Sequence, residues 1–163
     1  MTLRIGNGYD VHRYGEGDHV VLGGVTIPFK YGIVAHSDGD VVIHSLCDAL
    51  FGAAGLGDIG RHFPDSDPEH KDADSRQFLR RAIALLKAQR LTLVNADMTV
   101  VAEAPRISAY IPGMINNLAM DTRSTPGQIN IKATTTEGLG FSGREEGLAC
   151  YASVLLRWDS PHD

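Results

Sequence analysis

The sequence is poor in cysteine and in aromatic residues. Only two of its 163 residues are cysteine, and 7% are aromatic. Cys47 and Cys150 lie in apolar runs and lack the spacing of a metal site, so a framework of several disulfides is excluded. The pattern favours two buried free thiols and therefore a reducing compartment.

Positive charge is also scarce. Lys and Arg number 15 against 20 Asp and Glu, which gives a net charge of -5. This balance argues against nucleic acid as a partner, because a general nucleic-acid surface is basic. An anionic substrate would gain nothing from the overall field, so local cations would have to neutralise its charge.

Long apolar runs are missing as well. No segment reaches the length of a membrane span, and the first residues show no apolar core of a signal peptide. We therefore expect a cytoplasmic protein without a membrane partner.

Strand-like and helix-like segments alternate loosely, which predicts one α+β domain over residues 1–163. We expect one mixed sheet of about four long strands with helices on one face and a small hairpin. The last strand is apolar on both sides, so self-association of sheets is one way to cover its second face. The predicted elements are strands at 3–9, 93–103, 129–134 and 148–158, a hairpin at 20–22 and 25–27, helices at 41–54 and 112–120 and one beginning after 74 or 75, and irregular segments at 30–35 and 57–68.

Two cap-type residues precede the first helix. We predict that Ser37 is the N-cap and that Asp40, three residues later, completes a capping-box-like start. Within the helix His44 and Asp48 are i, i+4 neighbours, so the carboxylate of Asp48 is placed to orient the imidazole of His44. A direct substrate contact is the other role open to Asp48.

Three side chains form a candidate metal site. Asp10 and His12 are two residues apart at the end of a strand and point to the same side, and His44 lies on the helix. Two imidazoles and one carboxylate suit zinc with an open fourth position, as in catalytic sites. The alternative is a chance Asp-x-His pair and an ordinary helix histidine.

Five stretches of the chain match one known family in order. They are GYDVH at 8–12, AHSDGD at 35–40, GDIG at 57–60 with FPDSDP at 63–68, KATTTE at 132–137, and GFSGR at 140–144. Together they closely resemble the 2-C-methyl-D-erythritol 2,4-cyclodiphosphate synthases of the non-mevalonate isoprenoid pathway, over nearly the whole chain.

The resemblance implies a homotrimer with active sites between neighbouring subunits. It implies zinc at Asp10, His12 and His44, and a second divalent cation, magnesium or manganese, near Glu137. The substrate would be 4-diphosphocytidyl-2-C-methyl-D-erythritol 2-phosphate. Its 2-phosphate would attack the β-phosphorus, expel CMP and close a cyclic diphosphate, which makes the enzyme a phosphorus-oxygen lyase.

The resemblance also implies roles for single residues. His36 and Thr135 would stabilise the transition state, and Phe141 and Arg144 would lie near the trimer axis, where some members bind an isoprenoid diphosphate. This chain has Tyr151 where an acidic residue is common, so that ligand is less well supported. The implied substrate contacts are Asp10, Val11, His12, His36, Ser37, Asp58, Ile59, Gly60, Phe63, Pro64, Asp65, Ser66 and Asp67, then Ala102, Glu103, Ala104, Pro105, Arg106, Ile107 and Ser108 around the cytidine, and Thr134, Thr135, Thr136, Glu137, Phe141 and Arg144.

Two other functions fit the same metal residues. One is a zinc phosphoesterase that hydrolyses a nucleotide diphosphate with metal-bound water. The other is a non-catalytic module in which zinc only braces the fold.

Overall fold

A computed structural model describes residues 2–64 and 73–159 of the chain. The predicted substrate contacts Asp65, Ser66 and Asp67 lie outside these residues. The strands are β1 (Thr2–Gly15), β2 (His19–Leu22), β3 (Val25–Pro28), β4 (Gly32–Val34), β5 (Leu91–Val101), β6 (Ile129–Thr134) and β7 (Gly147–Trp158). The helices are α1 (Val41–Ala54), α2 (Ile59–His62), α3 (Arg76–Ala88), α4 (Ile111–Thr122) and α5 (Gly140–Gly143), with 3₁₀ turns at Ser108–Tyr110 and Pro126–Gln128.

Five strands form one mixed sheet in the order β4-β1-β7-β5-β6. The pairs β1–β4, β1–β7 and β5–β7 are antiparallel, and β5–β6 is parallel. The strands β2 and β3 form the separate hairpin that the glycine pair predicted. The expected α+β class, mixed sheet and hairpin are therefore confirmed.

The two faces of the sheet differ in cover. Along β7 the side chains of Ala152, Val154 and Leu156 are buried in the core beneath the helices. The alternate residues of β7 point to the other face, where Tyr151 is 57% exposed. Ile5 of the neighbouring strand β1 lies on that same face, opposite Leu155, and is 73% exposed. Helices thus cover one face, as predicted, and the other face carries apolar side chains open to solvent.

Three predictions about the bounds of elements need correction. The first strand runs to Gly15 rather than ending at 9, so Asp10 and His12 lie within a strand that pairs with β7. Residues 32–34 of the expected loop form β4 against β1. Residues 59–62 of the expected irregular segment form α2, because Asp58 caps its first turn by accepting from Arg61 N.

The N-cap of α1 is Asp40, not Ser37. Asp40 is fully buried, and its Oδ1 accepts from the backbone N–H groups of Val42 and Ile43. The same carboxylate accepts from Gly23 and Gly24, so one side chain joins the hairpin turn to the helix start. The predicted capping box is therefore wrong, because with Asp40 as the cap the third residue of the helix is Ile43, which has no carboxylate or amide to complete it.

Cys47 and Cys150 are buried free thiols, as predicted. The reducing, cytoplasmic setting inferred from them stays a prediction. Among the helices described, none combines the length and the apolar character that crossing a membrane requires.

Candidate metal centre

The three predicted metal ligands converge on one point. Asp10 Oδ2 lies 3.1 Å from His12 Nε2 and 3.1 Å from His44 Nδ1. The two imidazole nitrogens are 3.2 Å apart. One ligand atom from each residue lies within 4.8 Å of the others, which is the spacing expected of ligands around a single ion. The predicted cluster is therefore present, assembled from a strand and a helix 32 positions apart.

Two glycines of β1 bring the strand and the helix together. A Cβ on Gly8 would lie 1.9 Å from the carbonyl oxygen of Ser45, and a Cβ on Gly6 would lie 2.0 Å from that of Ala49. Only residues without a side chain permit so close an approach of two backbones. Since Ser45 follows His44 directly, this contact sets His44 against Asp10.

Electrostatics couple the three side chains. Burial alone would raise the pKa of Asp10, but hydrogen bonds from His12 and His44 and their charges hold it well below its usual range. Burial alone would lower the pKa of His44, yet the hydrogen bond to Asp10 and the negative charge of Asp10 raise it. Two nitrogen donors and an ionised carboxylate, converging from two elements, fit zinc with one position left open. The donor chemistry alone does not fix which divalent ion binds.

The second nitrogen of His44 has a partner that the sequence did not reveal. His44 Nε2 lies 2.8 Å from Ser75 Oγ and 3.3 Å from Ser37 Oγ. The predicted orienting role of Asp48 is wrong, because Asp48 Oδ1 instead accepts from the backbone N–H of Ile59 at 2.7 Å. That bond ties α1 to the start of α2.

The metal cluster opens into a cavity of about 320 Å³. Its walls include several of the residues that the resemblance implied as substrate contacts. Val11 is different, because its side chain lies on the opposite face of β1 from Asp10 and His12 and is 43% exposed. Asp58 caps α2 with its carboxylate, which accepts from Arg61 N, and it does not line the cavity. The predicted residues that line it are Asp10, His12, His36, Ser37, His44, Ile59, Gly60 and Phe63.

A second cavity, of about 330 Å³, lies at the ends of β5 and β6. It brings together most of the segment expected around the cytidine and two of the three threonines. Ala104 is not in its lining, but its carbonyl accepts a hydrogen bond from the Tyr14 hydroxyl. Tyr14, two residues beyond His12 on β1, was not identified from the sequence. The predicted residues that line this cavity are Ala102, Glu103, Pro105, Arg106, Ile107, Ser108, Thr134 and Thr135.

Glu103 holds the turn that follows β6. Its Oε1 accepts from Thr136 N at 2.9 Å, from Thr136 Oγ1 at 3.1 Å and from Gly138 N at 3.2 Å. Hydrogen bonds from these two backbone N–H groups lower the pKa of Glu103. Glu137 lies within this turn at a φ of 54°, and its Oε1 accepts from Thr135 Oγ1 at 3.4 Å. Glu137 is therefore next to Thr135 and apart from the three-residue metal cluster.

Of the two residues implied near a trimer axis, Phe141 lies beside the uncovered face of the sheet. Phe141, Tyr9 and Tyr151 line a cavity of about 190 Å³ there, and the two tyrosine rings are 4.7 Å apart. Arg144 is not in this cavity and pairs with Glu146 at 2.9 Å.

Known proteins resemble this chain over nearly its full length. The YgbB family model matches residues 3–157. The 2-C-methyl-D-erythritol 2,4-cyclodiphosphate synthase of Cellvibrio japonicus is 60% identical over 156 residues, which are 96% of this chain and 98% of that protein. The enzyme of the same name from Stutzerimonas stutzeri is 56% identical over 154 residues, 94% of this chain and 98% of that protein.

Solved structures agree with the sequence comparison. The bifunctional IspDF of Campylobacter jejuni superposes with a TM-score of 0.93 at 44% identity, and the match covers 98% of this chain but only 43% of that longer protein. The CDP complex of Plasmodium falciparum IspF gives a TM-score of 0.84 at 35% identity, covering 97% of each chain.

Proposed function

The chain belongs to the YgbB family, and we propose that it converts 4-diphosphocytidyl-2-C-methyl-D-erythritol 2-phosphate into 2-C-methyl-D-erythritol 2,4-cyclodiphosphate and CMP. An oxygen of the 2-phosphate forms a bond to the β-phosphorus. The bond from that phosphorus to the oxygen bridging to the α-phosphate breaks, and CMP leaves with the electron pair. The observation that carries the proposal is the Asp10–His12–His44 cluster, which opens into a cavity lined by the predicted substrate contacts.

Nucleophile and leaving group belong to the same molecule, so the main tasks are folding the substrate and balancing charge. The net charge of -5 gives an anionic substrate no general attraction, so neutralisation has to be local. Zinc bound by Asp10, His12 and His44 would supply a Lewis acid for the phosphate oxygens. His36 lines the same cavity and is positioned to donate a hydrogen bond to a phosphoryl oxygen.

We assign the cytidine to the second cavity. The backbone between Ala102 and Ser108 bends there and offers amides and carbonyls to a base edge, and a relative of known structure has been solved as a CDP complex. Thr135 lines this cavity as the second residue proposed to stabilise the transition state. Glu137 beside it would hold a magnesium or manganese ion, which would supply further positive charge to the phosphates.

Two separate cavities in one chain support a site completed by a neighbour. The metal cluster lines one cavity and Thr135 the other, while the reaction needs both around one diphosphate. The uncovered sheet face carries exposed apolar side chains such as Ile5 and Tyr151 that a second copy would bury. We therefore propose a homotrimer with active sites between subunits. An isoprenoid diphosphate at the axis stays a prediction, less well supported because Tyr151 stands where an acidic residue is common.

Phosphorus NMR of the products tests the reaction. The purified chain, loaded with zinc and magnesium, is incubated with the cytidylyl substrate, and the proposal expects cyclic diphosphate and CMP in equal amounts. Linear products with a free 2-phosphate would identify a hydrolytic phosphoesterase instead. Heat-inactivated protein gives the background.

Zinc removal separates catalysis from bracing of the fold. With a chelator present, the proposed enzyme is expected to lose turnover while its circular dichroism spectrum stays largely unchanged. Loss of the folded spectrum on chelation would favour the non-catalytic module.

A further inference from the structure

A chain of hydrogen bonds leads away from the metal centre through Ser75, the residue that precedes α3, to Asp38. His44 turns Nδ1 towards Asp10 and His12, so its Nε2 points into the protein, 2.8 Å from Ser75 Oγ. Ser75 Oγ in turn donates to Asp38 Oδ1 at 2.5 Å. Ser75 is fully buried, so its hydroxyl does not exchange these partners for water.

Asp38 is itself fixed in place. Its Oδ2 accepts from the backbone N–H of Ser75 at 3.0 Å, and its own N–H donates to the carbonyl of Ala73 at 3.2 Å. Its Oδ1 also accepts from the backbone N–H of Asp40 at 3.2 Å. The carboxylate therefore holds both the hydroxyl and the backbone of Ser75.

The Ser75 hydroxyl has no role in starting α3. Its side chain makes no capping hydrogen bond, and the N–H of Arg76 is satisfied by Asp74 Oδ1 at 2.9 Å. The buried Ser75 hydroxyl therefore bridges His44 and Asp38 without capping its own helix, so it is free to orient the imidazole of His44.

We propose that Ser75 and Asp38 are positioning residues of the metal centre. Asp38 accepts a hydrogen bond from the Ser75 hydroxyl, so Ser75 Oγ accepts one from His44 Nε2–H, and the lone pair of His44 is kept on Nδ1, where the ion would bind. Partners behind metal-bound imidazoles fix the tautomer and ring orientation in this way. The inference rests on the proposed metal site and extends it to two residues outside the ligand set.

Zinc titration against a competing chelator tests the inference without using activity. Ser75→Ala is expected to weaken zinc binding by roughly 10- to 100-fold, the usual effect of removing such a partner. Asp38→Asn is expected to weaken it in the same direction, because it removes the anionic acceptor of the Ser75 proton. Ser37→Ala is expected to have a smaller effect, since Ser37 Oγ lies farther from Nε2 than Ser75 Oγ does.

Ser142→Ala is the matched control. Ser142 is another buried serine, and its hydroxyl has no hydrogen-bond partner among the described residues. Its removal is expected to leave zinc affinity unchanged.

A second measurement reads the tautomer directly. In the zinc-loaded protein labelled with ¹⁵N-histidine, the His44 Nε2–H proton is expected to give a slowly exchanging signal. Ser75→Ala is expected to speed its exchange with water and shift its resonance. A purely structural serine would not move this signal.

The outcomes separate the inference from the metal site itself. Loss of zinc in His44→Ala together with wild-type affinity and an unchanged Nε2–H signal in folded Ser75→Ala overturns the positioning role alone. Wild-type zinc affinity in His44→Ala overturns the metal site and the inference with it. Should Ser75→Ala fail to fold, Asp38→Asn decides, and unchanged zinc affinity there overturns the inference.

Discussion

The two cavities are nearly equal in volume, about 320 and 330 Å³, but they are built differently. In the wall of the first, side chains from β1, α1 and the segment before α1 are hydrogen-bonded to one another: Asp10 and His12 contact His44, and His44 contacts Ser37. The second lies where β5 and β6 end, and hydrogen bonds between side chains and backbone hold its loops: Glu103, in its wall, accepts from Thr136 N, and Tyr14, outside it, donates to the Ala104 carbonyl. Metal ligands need fixed side-chain atoms, whereas a base edge is satisfied by backbone groups, so each construction suits its proposed ligand.

The largest effect is expected from removing a metal ligand in the first cavity. His44→Ala removes one of three ligand atoms, so zinc affinity is expected to fall by more than about 100-fold, beyond the usual cost of losing an outer partner. Turnover is expected to be lost while the circular dichroism spectrum is kept. His19→Ala is the control, because the side chain of His19 is exposed and pairs with Asp18, away from the metal cluster. Full turnover of His44→Ala without bound metal would refute the assignment.

The next effect concerns packing beneath the first cavity. Gly8→Ala would place a Cβ against the carbonyl of Ser45, so the helix has to move and His44 moves away from Asp10. We expect the free energy of unfolding to drop by about 1–3 kcal/mol, the usual cost of overpacking, with weaker zinc binding. Denaturant unfolding and zinc titration measure the two effects.

Gly127→Ala is the matched control, since no heavy atom lies within 4 Å of a Cβ built there. If Gly8→Ala and the wild type have equal stability and equal zinc affinity, the close contact between Gly8 and the Ser45 carbonyl is not needed to place His44.

The third effect sharpens the contrast between the two metals. Glu137→Gln is expected to raise the magnesium concentration for half-maximal activity by about tenfold, because a charged ligand is lost. Zinc content is expected to stay unchanged, since Glu137 is outside the zinc cluster. Metal analysis and a magnesium titration of activity measure the two. The reverse pattern, with zinc content lowered and magnesium dependence intact, would mean that the two sites are exchanged.

The smallest effect concerns the support of the second cavity. Glu103→Ala removes the acceptor that holds Thr136 and Gly138, so CDP is expected to bind several-fold more weakly in calorimetry. Glu103→Gln keeps an oxygen in the same place and is expected to bind CDP nearly as the wild type does. If Glu103→Ala also binds CDP normally, the turn does not depend on this side chain.

Sequence patterns predicted the elements that have a clear period. The Asp10–His12 spacing and the helical position of His44 suggested the metal cluster, the family resemblance favoured it over a chance pair, and Gly23–Gly24 predicted the hairpin. The length of β1 was missed because residues 10–15 are held by pairing with β7 and β4, which no local pattern records. Within β1, Gly8 permits contact with α1.

The predictions about side-chain partners failed where the tertiary structure, not the local sequence, decides which groups form hydrogen bonds. Asp48 has the right spacing to reach His44, but the N–H of Ile59 takes its carboxylate. Ser75 reaches His44 across 31 positions of the chain, and no local pattern records such a contact. The cap of α1 was misplaced because Ser37 and Asp40 are both good cap residues, and burial decided between them.

The Tyr14 hydroxyl has a consequence for ligands that never touch the metal. Tyr14 sits on the strand that carries Asp10 and His12, and it grips the carbonyl of Ala104 beside the second cavity. A compound that displaces the loop at Ala104 is therefore expected to shift β1, which carries two of the three metal ligands. An inhibitor without a metal-chelating group is therefore expected to weaken metal binding through the Tyr14 hydroxyl.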